Sequence, residues 1–151
     1  MMSKQKEADL ILKLYDLRRE AVMREARNWF FTFNPTSVQD FVDVMLTEKG
    51  AYYRMVVSYW EMAAALVNNG AIDEQMFNDA NGEHIFVYSK IEPFIPELKK
   101  AFQLQEYSPH FEKLVRRIPN IDQRLNQIRD RMKQFAALRE QRATKAAGAD
   151  N

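Results

Sequence analysis

The sequence predicts an all-helical domain, and three observations carry that prediction. Only 4 glycines and 5 prolines interrupt its 151 residues, and no stretch sustains the two-residue alternation of a half-buried strand. Between the breaks, apolar residues recur at spacings of three and four, the repeat of one helix face. The segment from about Ala51 to Asn69 is apolar over most of a helix's circumference, which requires neighbours on nearly every side. The expected architecture is a single bundle of about six helices around this central one, with long first and last helices.

Ser3 can cap a first helix running to about Phe31, with Leu10, Leu14, Leu17 and Ala21 on one face and Val22, Ala26, Trp29, Phe30 and Phe33 continuing it. Asn34-Pro35 ends that helix, because the residue before proline is pushed out of the α region. Thr36-Ser37 opens a second helix with Asp40 at near capping-box spacing, and Gly50 follows its end. Gly70 stops the central helix as a left-handed cap, and Asp73 caps a short helix over about 74–80. The stretch from about Glu83 to Phe102 should bend at Pro93 and Pro96, where backbone donors are missing. Ser108-Pro109 starts a short helix through Arg117. Asn120 starts the last helix, which reads to about Ala146. Residues 1–147 form the expected domain and 148–151 a frayed tail.

Composition narrows the chemistry. Hydrophobic residues at 46% and charged residues at 28% are ordinary globular proportions. With no cysteine there is no disulfide, no thiolate nucleophile and no cysteine-bound metal. The polar amino terminus lacks the apolar core of a secretory signal, and the most apolar window, Met55 to Val67, is too short and too interrupted to span a bilayer. The expected compartment is the cytoplasm.

On the central helix the polar residues fall in one stripe. Taking Arg54 as the origin, Ser58, Glu61, Ala65 and Asn68 lie within about 40° of it on either side. This stripe reads as the helix's exit to solvent, with Glu61 on a wet edge; the alternative is a buried Glu61 paired to an arginine of another helix. An enzymatic reading would need a polar pocket around Glu61, Arg54 and a histidine.

No phosphate-loop, dinucleotide or nucleophile-elbow motif occurs. Di-iron bundles use Glu-x-x-His, but Asn81 stands three residues before His84 and Tyr107 three before His110. The sequence therefore assigns no catalytic, cofactor-binding or metal-binding residue and implies no cofactor.

Charge distribution is the strongest functional clue. The net charge is +1, yet residues 116–151 hold nine basic side chains against four acidic ones. Arg117, Arg124 and Arg131 recur every seven residues as a basic ridge. Ile121, Leu125, Ile128, Met132 and Phe135 alternate steps of four and three, the narrow seam of a coiled coil. Each terminal helix would reach about 40 Å, against about 30 Å for a compact domain of this length, so part of one should project or pair.

Three uses are open for this ridge and seam. The ridge can complement the acidic middle of the chain or the acids of the first helix (Glu7, Asp9, Asp16, Glu20, Glu25). The seam, with Leu125, Ile128, Met132 and Phe135, can form a homodimer. Arg117, Arg124 and Arg131 can bind nucleic acid or an acidic protein, nucleic acid being disfavoured by mixed charge and the lack of interleaved aromatics.

The middle of the chain resembles a bacterial domain family of unknown function, the one numbered 4760. The likeness lies in Tyr59-Trp60-Glu61, then Val67-Asn68-Asn69-Gly70-Ala71-Ile72-Asp73-Glu74 with Phe77, then Phe86 and Ile91-Glu92-Pro93-Phe94-Ile95, about 60 residues in all. The resemblance implies a small helical domain, in that family often appended to membrane-spanning segments, and brings no activity or catalytic residues. The expected function is a non-enzymatic helical interaction or scaffold module that self-associates through its long terminal helices, a protein partner being its other candidate.

Overall fold

The computed structural model describes residues 3–149, and all regular structure among them is helical. Among the described residues there are nine α-helices and one 3-10 turn, more segments than the expected bundle of about six, in part because two expected stretches divide.

The first division is at Arg19-Glu20, which splits the expected long first helix into α1 (Lys4–Arg18) and α2 (Ala21–Thr32). Glu20 causes the restart locally: its carboxylate accepts the amides of Val22 at 3.1 Å and Met23 at 2.9 Å, which would otherwise be orphaned at a helix start. The break is also held from a distance. Arg18 turns inward and donates to Glu83 and Asn81, both at 3.2 Å, while Arg27 binds the same Glu83 at 3.1 Å. No periodicity in the sequence records that tie.

The carboxyl end of α2 is capped by a buried lysine. Lys90 Nζ donates to the carbonyls of Phe30, Phe31 and Phe33 at 2.8, 2.8 and 2.7 Å, using all three of its protons. The chain then turns through Asn34-Pro35, and Asp40 accepts the amides of Thr36 (2.8 Å) and Ser37 (3.3 Å) to start α3 (Val38–Met45).

Helix α4 (Lys49–Asn68) begins two residues earlier than the expected central helix, so Gly50 lies inside its first turn rather than ahead of it. A Cβ on Gly50 would stand 3.0 Å from the Met45 carbonyl oxygen and 3.1 Å from Met45 Cα, so α3 can approach this closely only over glycine. Nine residues of α4 are buried, among them Tyr53, Val56, Trp60 and Ala64. Tyr59 donates to the Leu14 carbonyl of α1 at 2.5 Å, and the hydroxyls of Tyr53 and Tyr107 are bonded to each other.

Gly70 ends α4 with φ +81°, and the amides of Gly70 and Ala71 bond back to Val67 (3.0 Å) and Leu66 (2.9 Å), the paired bonds of a Schellman cap. Asp73 caps α5 (Glu74–Ala80) through the Met76 amide at 2.8 Å. The second division falls at the prolines, as expected. Helix α6 (Glu83–Ile91) passes through a 3-10 turn (Glu92–Phe94) into α7 (Ile95–Ala101), so Pro93 and Pro96 each sit where a helical amide is not needed.

Helix α8 (Pro109–Arg116) packs against α4, and α9 (Ile121–Ala149) leaves along α6. Gly148 and Ala149, expected in a frayed tail, continue α9; residues 150 and 151 lie outside the described residues. Trp60, Tyr88, Phe30, Phe41, Phe77 and Phe111 are the largest side chains wholly inside the core.

Candidate interaction cleft beside the last helix

The polar stripe of α4 is not an exit to solvent along its whole length. Arg54 and Ser58 are exposed, but Glu61 is half-buried and binds neither water-facing space nor an arginine. Its Oε1 accepts the backbone N–H of His110 at 3.0 Å and its Oε2 that of Phe111 at 2.8 Å. Ser108, in the left-handed region at φ 46°, makes no side-chain cap, so Glu61 supplies from another helix the acceptors that α8 lacks at its start. Two turns further along, Asn68 donates to the His110 carbonyl at 3.0 Å and accepts from Arg117 at 2.5 Å. The stripe is a docking seam for α8.

The two histidines are held apart by different partners. His84 is fully buried between Trp60 and Phe77, with Nε2 bonded to Asn78 Oδ1 at 3.0 Å. Since Oδ1 can only accept, Nε2 carries the proton and Nδ1 is a buried lone pair. Burial, helped by Arg124 and Arg18, pushes its pKa down to about 4. His110 Nδ1 faces the Asn68 amide at 3.2 Å. Among the described residues no three His, Asp or Glu side chains are placed to share a metal ion.

The basic residues chosen from the sequence divide into two groups. Arg117 is at the end of α8, separated from α9 by Ile118-Pro119-Asn120, and binds Glu74 Oε1 at 2.7 Å. It pairs with the acidic middle of the chain and forms no continuous ridge with Arg124 and Arg131. Those two share a face of α9 with Arg139. None of Arg124, Arg131 and Arg139 has a carboxylate within 4.0 Å among the described residues, whereas Arg18, Arg27, Arg116, Arg117 and Arg129 all do.

The apolar seam divides as well. Leu125 is wholly buried and Ile121 nearly so, packed in the core. Ile128 and Met132 are half-buried, and from Lys133 to Ala149 every residue of α9 is exposed. Arg129 fastens this helix by donating to the Ser89 carbonyl at 2.8 Å, and Arg116 joins Glu92 and Asp122, each at 2.7 Å. Phe135 and Leu138 remain 53% and 60% exposed, which leaves only the outer part of the seam free for a partner.

Where α9 departs from α6 it opens a cleft of about 560 Å³. Ile85 and Phe86 of α6 and Phe31 of α2 make its floor; Ile128, Met132 and Phe135 make the facing wall; Arg124, Arg131 and Arg139 line it from α9. Phe31 stacks on Phe86 with centroids 5.5 Å apart and meets the edge of Phe135 at 6.2 Å. Arg139 lies 5.2 Å from the Phe31 ring and 5.3 Å from that of Phe135, closing the aromatic group with a cation. Beneath it, Lys90 packs 4.9 Å from Phe86, its pKa pushed down to about 7 by burial and then by Arg139.

Five of the seven sequence candidates therefore meet around the opening: Arg124, Ile128, Arg131, Met132 and Phe135 line it, while Leu125 is core and Arg117 lies elsewhere. The sequence placed none of Phe31, Phe86 and Arg139 at a site. Phe31 stood only at the end of the expected first helix and Phe86 only in the family likeness, and Arg139 stands eight residues beyond Arg131, outside the seven-residue repeat.

This chain belongs to the family described as a domain of unknown function (DUF4760), whose model matches residues 5–118. The match runs well beyond the 60 residues that carried the resemblance and ends before α9. No curated protein and no solved structure matches the chain. Among the described residues no helix is long and apolar enough to cross a membrane.

Proposed function

We propose that this protein is a non-enzymatic helical interaction module, a single domain over residues 1–147 that works in the cytoplasm and self-associates through α9 and the cleft beside it. The supporting observation is one combination: three arginines with no carboxylate within 4.0 Å among the described residues line an opening whose lining includes the half-exposed Phe31 and Phe135. An isolated exposed arginine is ordinary, but apolar surface and unpaired cations concentrated together favour a complementary protein surface. Glu61, the leading candidate for chemistry, has both oxygens engaged by amides, which supports a structural role for it.

Sedimentation or light scattering over micromolar to hundred-micromolar concentrations tests the reading. Self-association is expected for the intact chain and should weaken at least tenfold in Phe135→Asp. A chain that stays monomeric throughout, with Phe135→Asp indistinguishable from it, would overturn self-association. Retention of nucleic acid that falls steeply with salt and is lost with Arg124 and Arg131 would instead favour a phosphate-binding role.

A further inference from the structure

The cleft calls for an apolar and anionic complement, and the chain itself carries one. Leu46, at the corner between α3 and α4, is 82% exposed, more than any other large hydrophobic residue described. Asp43 and Glu48 flank it, both exposed and neither with a cation within 4.0 Å among the described residues. From Asn28 to Glu48 the sequence holds three acids and no lysine or arginine. Resting on self-association as proposed above, we infer that the cleft of one copy receives the Asp43–Leu46–Glu48 corner of a second copy, Leu46 meeting the aromatic group and the two carboxylates meeting the arginines of α9.

The corner is built to keep its shape. Thr47 Oγ1 donates to the Val44 carbonyl at 2.8 Å, the Lys49 amide donates back to Thr47 Oγ1 at 3.2 Å, and Gly50 holds α4 against the backbone of Met45. A preformed knob loses little conformational freedom on docking. Another exposed apolar strip, Leu12, Tyr15 and Leu17 of α1, carries Lys13 and an Asp16–Arg19 ion pair at 3.8 Å, a mixed charge that complements this cleft less well than the acidic corner does. Within one chain no hydrogen bond or ion pair joins α3 to α9 among the described residues, so the two complementary surfaces are left for different copies. Because one patch meets a different patch, the contact either closes reciprocally about a twofold axis or continues from copy to copy.

Charge reversal separates the two halves of this contact. Asp43→Arg with Glu48→Arg spoils the corner and leaves the cleft intact; Arg131→Glu with Arg139→Glu does the opposite. Each double variant alone should self-associate at least tenfold more weakly than the unaltered chain in sedimentation velocity. Mixed in equal amounts, they should recover a complex of one copy of each, the intact cleft of the first holding the intact corner of the second. Leu46→Asp provides a second test with one substitution, again with at least tenfold weakening. An Asp43→Arg/Glu48→Arg or Leu46→Asp chain that associates like the unaltered protein would overturn the corner as occupant while leaving self-association standing. If the unaltered chain is itself monomeric, both readings fall together.

Discussion

Glu61 and Phe111 are 50 residues apart in sequence, yet a carboxylate oxygen of the first accepts the backbone amide of the second at 2.8 Å. With the neighbouring bond to His110, this fixes where α8 begins on the flank of α4. A helix cap supplied by a different helix does two things: it satisfies orphan donors and places a negative charge at the positive end of the helix dipole.

Glu61→Ala should therefore lower stability by about 1–2 kcal/mol, the usual cost of a lost cap. Glu61→Gln keeps an acceptor oxygen and should lose less. Urea unfolding of the two variants gives the comparison; an alanine variant as stable as the parent would mean that the capping contact contributes nothing.

Gly50 and Gly148 should respond to alanine with opposite signs. Alanine is favoured over glycine by up to about 1 kcal/mol in a helix, and a Cβ at Gly148 meets nothing within 4 Å. At Gly50 the same methyl would press on the Met45 backbone, and overpacking of that kind costs about 1–3 kcal/mol. Thermal melts of the two variants should diverge, Gly50→Ala falling and Gly148→Ala holding or rising.

Truncation along α9 should expose its division into a core part and a free part. Leu125→Ala removes a wholly buried side chain and should cost about 2–5 kcal/mol. Leu138→Ala, at a position 60% exposed, should change unfolding stability by less than about 0.5 kcal/mol. Equal losses at the two sites would mean that the outer half of α9 is packed in the monomer.

The buried imidazole of His84 sets a pH dependence. Its folded pKa of about 4 lies below the ordinary 6.5, so the unfolded chain takes up this proton first as pH falls. The contribution is fully present above about pH 6.5 and is lost on acidification toward pH 4, amounting to about 3 kcal/mol at most by linkage. Carboxylates titrate in the same window, so the quantity to measure is the stability difference between the parent and His84→Gln at several pH values. That difference should shrink toward acid; a constant difference would show that His84 does not titrate with folding.

Local signals identified most of the helix boundaries. Ser3, Asp73 and Gly70 act where they stand, through bonds to residues at most five positions away. Pro93 and Pro96 bend the chain wherever it packs, because their missing amides are covalent facts. The break at Arg19-Glu20 was hidden because helical periodicity runs straight through it and Glu20 is not a common capping type. The charge at Arg117 and the apolar spacing at Leu125 were visible, but their partners Glu74 and the core around α6 were not.

The sequence by itself determined an all-helical chain, the apolar character of the segment now seen as α4, and a basic, sparsely apolar last helix. These follow from spacing, propensity and capping, which act over a few residues. Only the tertiary structure decided that Glu61 caps α8, that the seam is core at Leu125 and free at Phe135, and that Phe31, Phe86 and Arg139 join it around a cleft. Those relationships depend on which helix faces which. Packing sets that through the summed fit of many distant side chains, and no local pattern encodes it.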